Sequence, residues 1–318
     1  MINLLQVTAE YRARTWGGQR LGPGDGATPI GEAWLVYEHN RVAGGPWAGR
    51  TLAEVAAAEP EQLLGAPMLA QAGPRFPLLL KLLDCADWLS VQVHPNDAQA
   101  AQLAGPGQLG KTEAWHILEA EPGARLMAGV QAGTTSEAIA AAIRQGTVLD
   151  HVVYHPVRAG DTVYIPAGTL HALGPGLFLY EIQQTSDLTY RIFDWNRPAG
   201  QGRALHIEES VIAVNPALAG ELHAAPRLGP EDSRRVLDTP YFALEVVTGA
   251  HEARPGDTGG ASFHALTVVE GAAEVHSGGE QVTLNRFESV IVPASAGAYE
   301  IRPLGAYRLL RALAGQAA

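Results

Sequence analysis

GDTVYIPAGTLH, running from Gly160 to His171, is the stretch on which the fold turns. Its first half alternates β-branched and aromatic residues and reads as a short strand. Its second half places Pro166, Gly168 and His171 at fixed intervals after Gly160. Glycine and proline at those places shape a hairpin turn that aims the histidine into the mouth of a β-barrel. The plainer alternative is a surface hairpin that ends in an incidental histidine.

Outward from this segment the chain continues as short strands divided by turn residues: VVYHPV before it, LFLYEIQQ and LTYRIFDW after it. Such spacing suggests a sandwich or barrel. Upstream, Leu89 to His94 alternates apolar and polar, so Ser90, Gln92 and His94 share one strand face. TTSEAIAAAIRQG (134–146) predicts a helix, with Thr134 and Glu137 as a capping box and Gly146 as terminator. Residues 51–72 read as helical with a break at Pro60, and 206–214 as a short helix. Residues 215–238 read as a linker. From Tyr241 the strands return, and FESVIVPAS is the same kind of segment as GDTVYIPAG, which suggests a diverged repeat. The expected fold is mainly β with a few helices, in two strand-rich halves that divide near residue 225.

Composition narrows the function. The 318 residues are 47% hydrophobic and 17% charged, with Gly 36 and Pro 21, which fits a folded, turn-rich chain. A net charge of -11 argues against a nucleic-acid partner, which needs a basic face, but not against a small anion held by a few placed cations. The single cysteine, Cys85, lies in an apolar run and reads as a core residue. No apolar run is long enough to span a membrane, and the amino terminus lacks a signal-peptide pattern, so the expected location is cytoplasmic. Of 22 basic residues only Lys81 and Lys111 are lysines. Apart from accident, that points to positions needing a compact, titratable ammonium group.

The candidate chemistry gathers on few residues. Gln92 and His94 stand at i and i+2, as do Lys111 and Glu113, and His171 ends the opening segment. Taken singly, each is an ordinary hydrogen-bonding residue. Together, Gln92, His94, Glu113 and His171 offer two nitrogens and two oxygens, a set that suits zinc, with manganese, iron or cobalt as alternatives. Glu181 and Gln183 share a strand face and either line the barrel or lie on a solvated face. Arg191 and Arg197 are two guanidinium groups close in sequence, read by themselves as an exposed pair. The other nine histidines, His264 and His276 among them, lack such spacing and read as structural or surface residues.

In this context the chain resembles the type I phosphomannose isomerases, in particular the short bacterial form, within the cupin superfamily. The resemblance rests on IGEAWLVYEH (30–39), PLLLKLLDCADWLSVQVHPND (77–97), GKTEAWHIL (110–118), GDTVYIPAGTLHALG (160–174) and YEIQQTSDLTYRIFDWNR (180–197). These cover about half the chain in order. The resemblance implies two jelly-roll β-barrels, with 1–225 a catalytic domain that carries helical insertions and the metal site and 226–318 a metal-free β domain. It implies one zinc ion held by Gln92, His94, Glu113 and His171, an essential arginine at Arg191, and pocket positions at Ser90, Lys81, Lys111, Glu181 and Arg197. It also implies interconversion of mannose 6-phosphate and fructose 6-phosphate through a cis-enediol, with Lys111 or Glu181 as the base. Arg197, Lys81 and Ser90 would meet the phosphate. The only expected partner is the sugar phosphate, and the expected state is a monomer or weak homodimer. Two departures stand out: Pro175 replaces an asparagine common in cupins, and no histidine follows Pro293 in the second repeat. Rival readings are an iron dioxygenase on the same scaffold and a non-catalytic sugar-phosphate sensor. The first has no need of a Lys-x-Glu pair or an arginine couple. The second would be expected to lose the base candidates or to carry a DNA-binding or partner module, of which the sequence shows no sign.

Overall fold

The computed structural model describes residues 2, 4–22, 29–197 and 203–315. The chain divides into two compact units: 11–33 with 82–225, and 1–10 with 34–81 and 226–318. One change of unit falls at 225/226, and two early segments, 1–10 and 34–81, belong with the later residues. The reason is strand pairing and side-chain packing. Leu5–Val7 adds to the edge of a sheet through Ser289–Val292, and Phe76 packs on Phe263 with ring centroids 4.6 Å apart.

The unit containing 82–225 is a jelly-roll sandwich of two separate sheets. One has the order Glu221–His223, Thr162–Ile165, Glu113–Ala120, Leu177–Gln184, followed by Leu78–Cys85, Glu10–Gly18 and Ile30–Val36, strands that pass along the chain from one unit to the other. The other has the order Tyr190–Phe193, Val91–Val93, His171–Leu173, Arg125–Val130, Val152–Pro156. Both sheets contribute to a core that includes Trp16, Trp115, Ile117, Leu126, Val163, Ile165 and Leu173. The reverse face of the five-stranded sheet, with Val91, Val93, Met127 and Ile192, packs on Ile139 and Ile143 of the helix Ser136–Gln145 and on Ala213 of Ile207–Ala213. Each large apolar side chain so buried contributes roughly 1.5–3 kcal/mol, enough in sum to carry the charged groups embedded beside this core.

The other unit repeats the plan. A six-stranded sheet (Leu5–Val7, Ser289–Val292, His264–Glu270, Tyr307–Ala314, Phe242–Gly249, Ser233–Asp238) shares a core with a four-stranded one (Arg254–Asp257, Ala298–Pro303, Ala273–Ser277, Glu280–Leu284). Three short helices, Leu52–Ala58, Pro60–Leu64 and Ala66–Ala72, occupy the stretch expected to be helical, and Thr51 and Glu54 form a reciprocal cap on the first.

Several local expectations need correction. The opening segment is not a hairpin within one sheet. Thr162–Ile165 pairs with Glu113–His116 in the larger sheet, while His171 pairs with Gln92 and Ala128 in the smaller. Pro166 to Leu170 therefore carries the chain from one sheet to the other. Gly168 takes φ +94 there, and its N–H donates to the His94 carbonyl (2.8 Å). The helix is capped by Thr135, which accepts from the Ala138 N–H, because the Thr134 hydroxyl donates to the Gln131 carbonyl at 2.7 Å. The supposed linker 215–238 contains two strands, Glu221–His223 and Ser233–Asp238, each taking up the edge of a sheet.

Candidate metal centre

Register assembles the centre. In the five-stranded sheet Arg191 is opposite Gln92, and Gln92 is opposite His171, so three adjacent strands present these side chains on one face. Across the interior, Glu113 is opposite Gln183 and Trp115 is opposite Glu181. The polar face of the smaller sheet thus looks onto Glu113 and Glu181 of the larger.

His94, Glu113 and His171 are buried, with candidate donor atoms all within 4.8 Å of one another. The His94 Nδ1–H donates to the Leu188 carbonyl (2.8 Å), and the His171 Nδ1–H to the Thr169 carbonyl (2.9 Å). Those bonds fix the tautomers, so both Nε2 atoms present lone pairs inward. Each faces a carboxylate oxygen: His94 Nε2 lies 3.4 Å from Glu113 Oε2, and His171 Nε2 lies 3.3 Å from Glu113 Oε1. Glu113 Oε1 has no hydrogen-bond partner among the described residues. Acceptors facing acceptors in a buried site require a cation. Lys111 supplies part of it, since its ammonium pairs with Glu113 Oε2 and donates to His94 Nε2 at 3.1 Å.

The ionisation states agree with this geometry. Burial, reinforced by Lys111, pushes His94 down to about 3, and burial likewise lowers His171, so both imidazoles are neutral near pH 7. Burial alone would raise Glu113, but the Lys111 ammonium paired with it outweighs burial and holds the carboxyl well below its usual range. A carboxylate with two neutral imidazoles is a donor set that a divalent ion such as zinc satisfies.

The remaining predicted residues fall into three groups. Gln92 adjoins the cluster, although its amide nitrogen is the atom facing His171 Nε2 (3.2 Å). Its oxygen accepts from Ser90 Oγ at 3.2 Å, so acting as a ligand requires the amide to turn over. Ser90 in turn accepts from Arg191 Nε (3.2 Å), whose Nη1 donates to the Ala204 carbonyl. Burial, then Arg203, lowers Arg191 to about 10, which leaves it cationic at neutral pH. Glu181 is buried and accepts from the Trp115 indole (3.0 Å), and that indole ring lies edge-on to His171 with centroids 5.5 Å apart. The hydrogen bonds of Arg197 lead away from this group. Arg197 is committed to Asp194 (2.6 Å), the Trp88 carbonyl (2.6 Å) and Asp87 (3.1 Å). Lys81 is buried, and its ammonium lies 4.8 Å over the Trp34 ring.

Sequence reasoning missed the frame around Lys111. This residue precedes the strand rather than lying on it, and its N–H donates to the Pro95 carbonyl (3.0 Å). Asp97 accepts from the Gly110 N–H (2.8 Å) and from the Gln184 amide (3.1 Å), and Gln184 accepts from the Thr112 N–H (2.9 Å). No spacing rule pairs 97 with 184, so nothing in the linear order signals this frame.

A family model for the phosphomannose isomerase type I catalytic domain matches residues 4–143. A mannose-6-phosphate isomerase of Streptococcus mutans is 34% identical, covering 92% of this chain and 93% of the relative. A probable mannose-6-phosphate isomerase of Bacillus subtilis is 35% identical, covering 95% and 96%. The crystal structure of the mannose 6-phosphate isomerase from Bacillus subtilis superposes with a TM-score of 0.82 at 27% identity, over 97% of this chain and 99% of that one.

Proposed function

The chain belongs to the type I phosphomannose isomerase family, and from that membership we propose that it interconverts D-mannose 6-phosphate and D-fructose 6-phosphate with one zinc ion per chain. The supporting observation is the buried carboxylate of Glu113, whose two oxygens face the inward lone pairs of His94 and His171 with one oxygen unpartnered. These three residues, joined by Gln92 once its amide turns, would hold the ion. Bound there, zinc supplies Lewis-acid stabilisation for negative charge on the sugar oxygens.

The isomerisation moves a proton between C2 and C1 of the open-chain sugar through a cis-enediol. Aldose to ketose, a base takes the C2 proton and returns one to C1, while a second proton passes from the C2 hydroxyl to the C1 oxygen. Lys111 and Glu181 are the two candidates, both buried and both beside the ligand cluster. Arg191 stays charged and is anchored through Nε and Nη1, which orients its guanidinium for an anionic oxygen of the substrate. Ser90 ties Arg191 to Gln92 and so sets the substrate-facing edge against the metal-facing one. Phosphate contact by Arg197 would compete with Asp194, and a phosphate role for Lys81 rests on the family resemblance alone. The same reading takes the sugar phosphate as sole partner, a monomer or weak homodimer, and the cytoplasm as its place. No helix among the described residues is long and apolar enough to cross a membrane.

An enzyme-linked assay with mannose 6-phosphate, run beside metal analysis, tests the proposal. The expected result is about one divalent ion per chain and loss of turnover on chelation. Full turnover from a verified metal-free sample would sink the metal role, and no turnover by the zinc-loaded chain would sink the reaction.

A further inference from the structure

The unit that contains 226–318 has a polar cluster of its own, which the isomerase reading leaves unused. Arg235 is opposite Glu245 in one strand pair, and Glu245 is opposite Arg311 in the next. The three side chains join accordingly: Arg235 donates to Glu245 Oε1 (2.8 Å) and Arg311 Nε to Glu245 Oε2 (2.6 Å). Tyr299, from the facing four-stranded sheet, spans the interior. Its hydroxyl accepts from Arg311 (3.2 Å) and bonds His264 Nδ1 (2.8 Å).

Beside this network lies a cavity of about 370 Å³, with Arg235, Asp238, Ser262 and His264 among its lining residues and Ala243 and Leu313 supplying apolar wall. Ser262 is 5% exposed, and its hydroxyl has no hydrogen-bond partner among the described residues. His264 is 6% exposed and uses Nδ1 on Tyr299, while Nε2 makes no hydrogen bond among the described residues. A buried hydroxyl and an imidazole nitrogen left unmatched at the wall of a cavity are uncommon in a purely structural domain.

We propose that this cavity is a second binding site, one that takes an uncharged polyhydroxylated molecule of monosaccharide size. The charges argue for neutrality. Arg235 and Arg311 are balanced by Glu245 and Asp238, so the wall offers no surplus cation to an anion. Burial, followed by Arg311, pushes His264 down to about 4, which leaves its imidazole uncharged near pH 7. What remains is a hydroxyl, an imidazole nitrogen and the paired Arg235 and Asp238 side chains, set against the aliphatic carbon of Ala243 and Leu313. Adjacent hydroxyl groups on a carbon ring match that mixture of donors, acceptors and apolar surface.

The test uses the full chain with 15N-labelled histidine side chains and three probes: D-mannose, D-fructose and glycerol. His94 and His171 report the metal centre in the same spectra, so binding there is read separately. The expected result is a saturable shift of the His264 resonances with at least one hexose. That shift should be lost in Ser262→Leu, which fills the cavity, without change at His94 or His171. Should Ser262→Leu fail to fold, Ala261→Phe at the rim takes its place. If no probe moves His264, or if its shift survives cavity filling, the site does not exist as described. Neither outcome depends on isomerase turnover, so the two proposals fail independently.

Discussion

Lys111 is the residue where composition, geometry and chemistry meet. One of two lysines among 22 basic residues, it is 3% exposed and touches both Glu113 and His94. An arginine could not hold a compact charge between those atoms without displacing one of them. If Lys111 moves the substrate proton, Lys111→Met should lower kcat by about 10²–10⁴-fold while zinc content holds, because the ligands themselves are intact. Glu181→Gln is the matching experiment: it keeps the bond from Trp115 and removes a titratable carboxyl. The variant whose kcat collapses identifies the base. Wild-type turnover by Lys111→Met would remove Lys111 from the proton path, whatever its scarcity in the sequence suggests. The lysine was legible because rarity is visible in a count. The unpartnered oxygen of Glu113 was not, since it depends on which atoms face each other across two sheets.

At the scale of elements, the centre owes its shape to three strands in register and one tight approach. The i, i+2 spacing of Ser90, Gln92 and His94 is a property of the sequence and could be read directly. That Gln92 stands between Arg191 and His171 is a property of pairing, and residues 79 and 99 positions away cannot be placed by local periodicity. The tight approach is at Gly110. A β-carbon there would lie 2.6 Å from the backbone of Asn96 and Asp97, so only glycine lets the Lys111 segment lie against the chain that follows His94. Gly110→Ala should therefore push Lys111 and Glu113 away from His94, with a stability cost of about 1–3 kcal/mol and lower zinc affinity. Denaturation midpoints and zinc titration measure the two effects. A variant as stable and as zinc-replete as the parent would show that the approach has slack. The same dependence on pairing explains the misread linker: 221–223 and 233–238 have little internal pattern and become strands because a sheet edge awaits each.

Across the whole molecule, the repeat visible in GDTVYIPAG and FESVIVPAS corresponds to two sandwiches that share a plan and differ in what they enclose. One embeds neutral histidines around a carboxylate. The other embeds a neutral histidine beside an Arg–Glu–Arg row, which sequence could not reveal because positions 235, 245, 264, 299 and 311 obey no common spacing. That second histidine gives a whole-chain prediction. His264 titrates at about 4 in the folded state against an ordinary value of 6.5. Between those values the unfolded chain binds a proton that the folded chain refuses, so stability rises with pH there. His264 therefore adds no penalty above pH 6.5, and stability is lost progressively as pH falls toward 4. At about 1.4 kcal/mol per pH unit, the full loss is on the order of 3 kcal/mol. His94 and His171 act in the same direction, so the effect of His264 must be isolated by difference. His264→Gln cannot titrate and can still meet the Tyr299 hydroxyl. Its stability curve, measured by denaturant unfolding of the chelated protein from pH 7 to pH 4, should be flatter than that of the parent, with the two curves converging or crossing on the acid side. Parallel curves would mean that His264 takes up its proton as readily in the folded chain as in water, and the second interior would then be open to solvent.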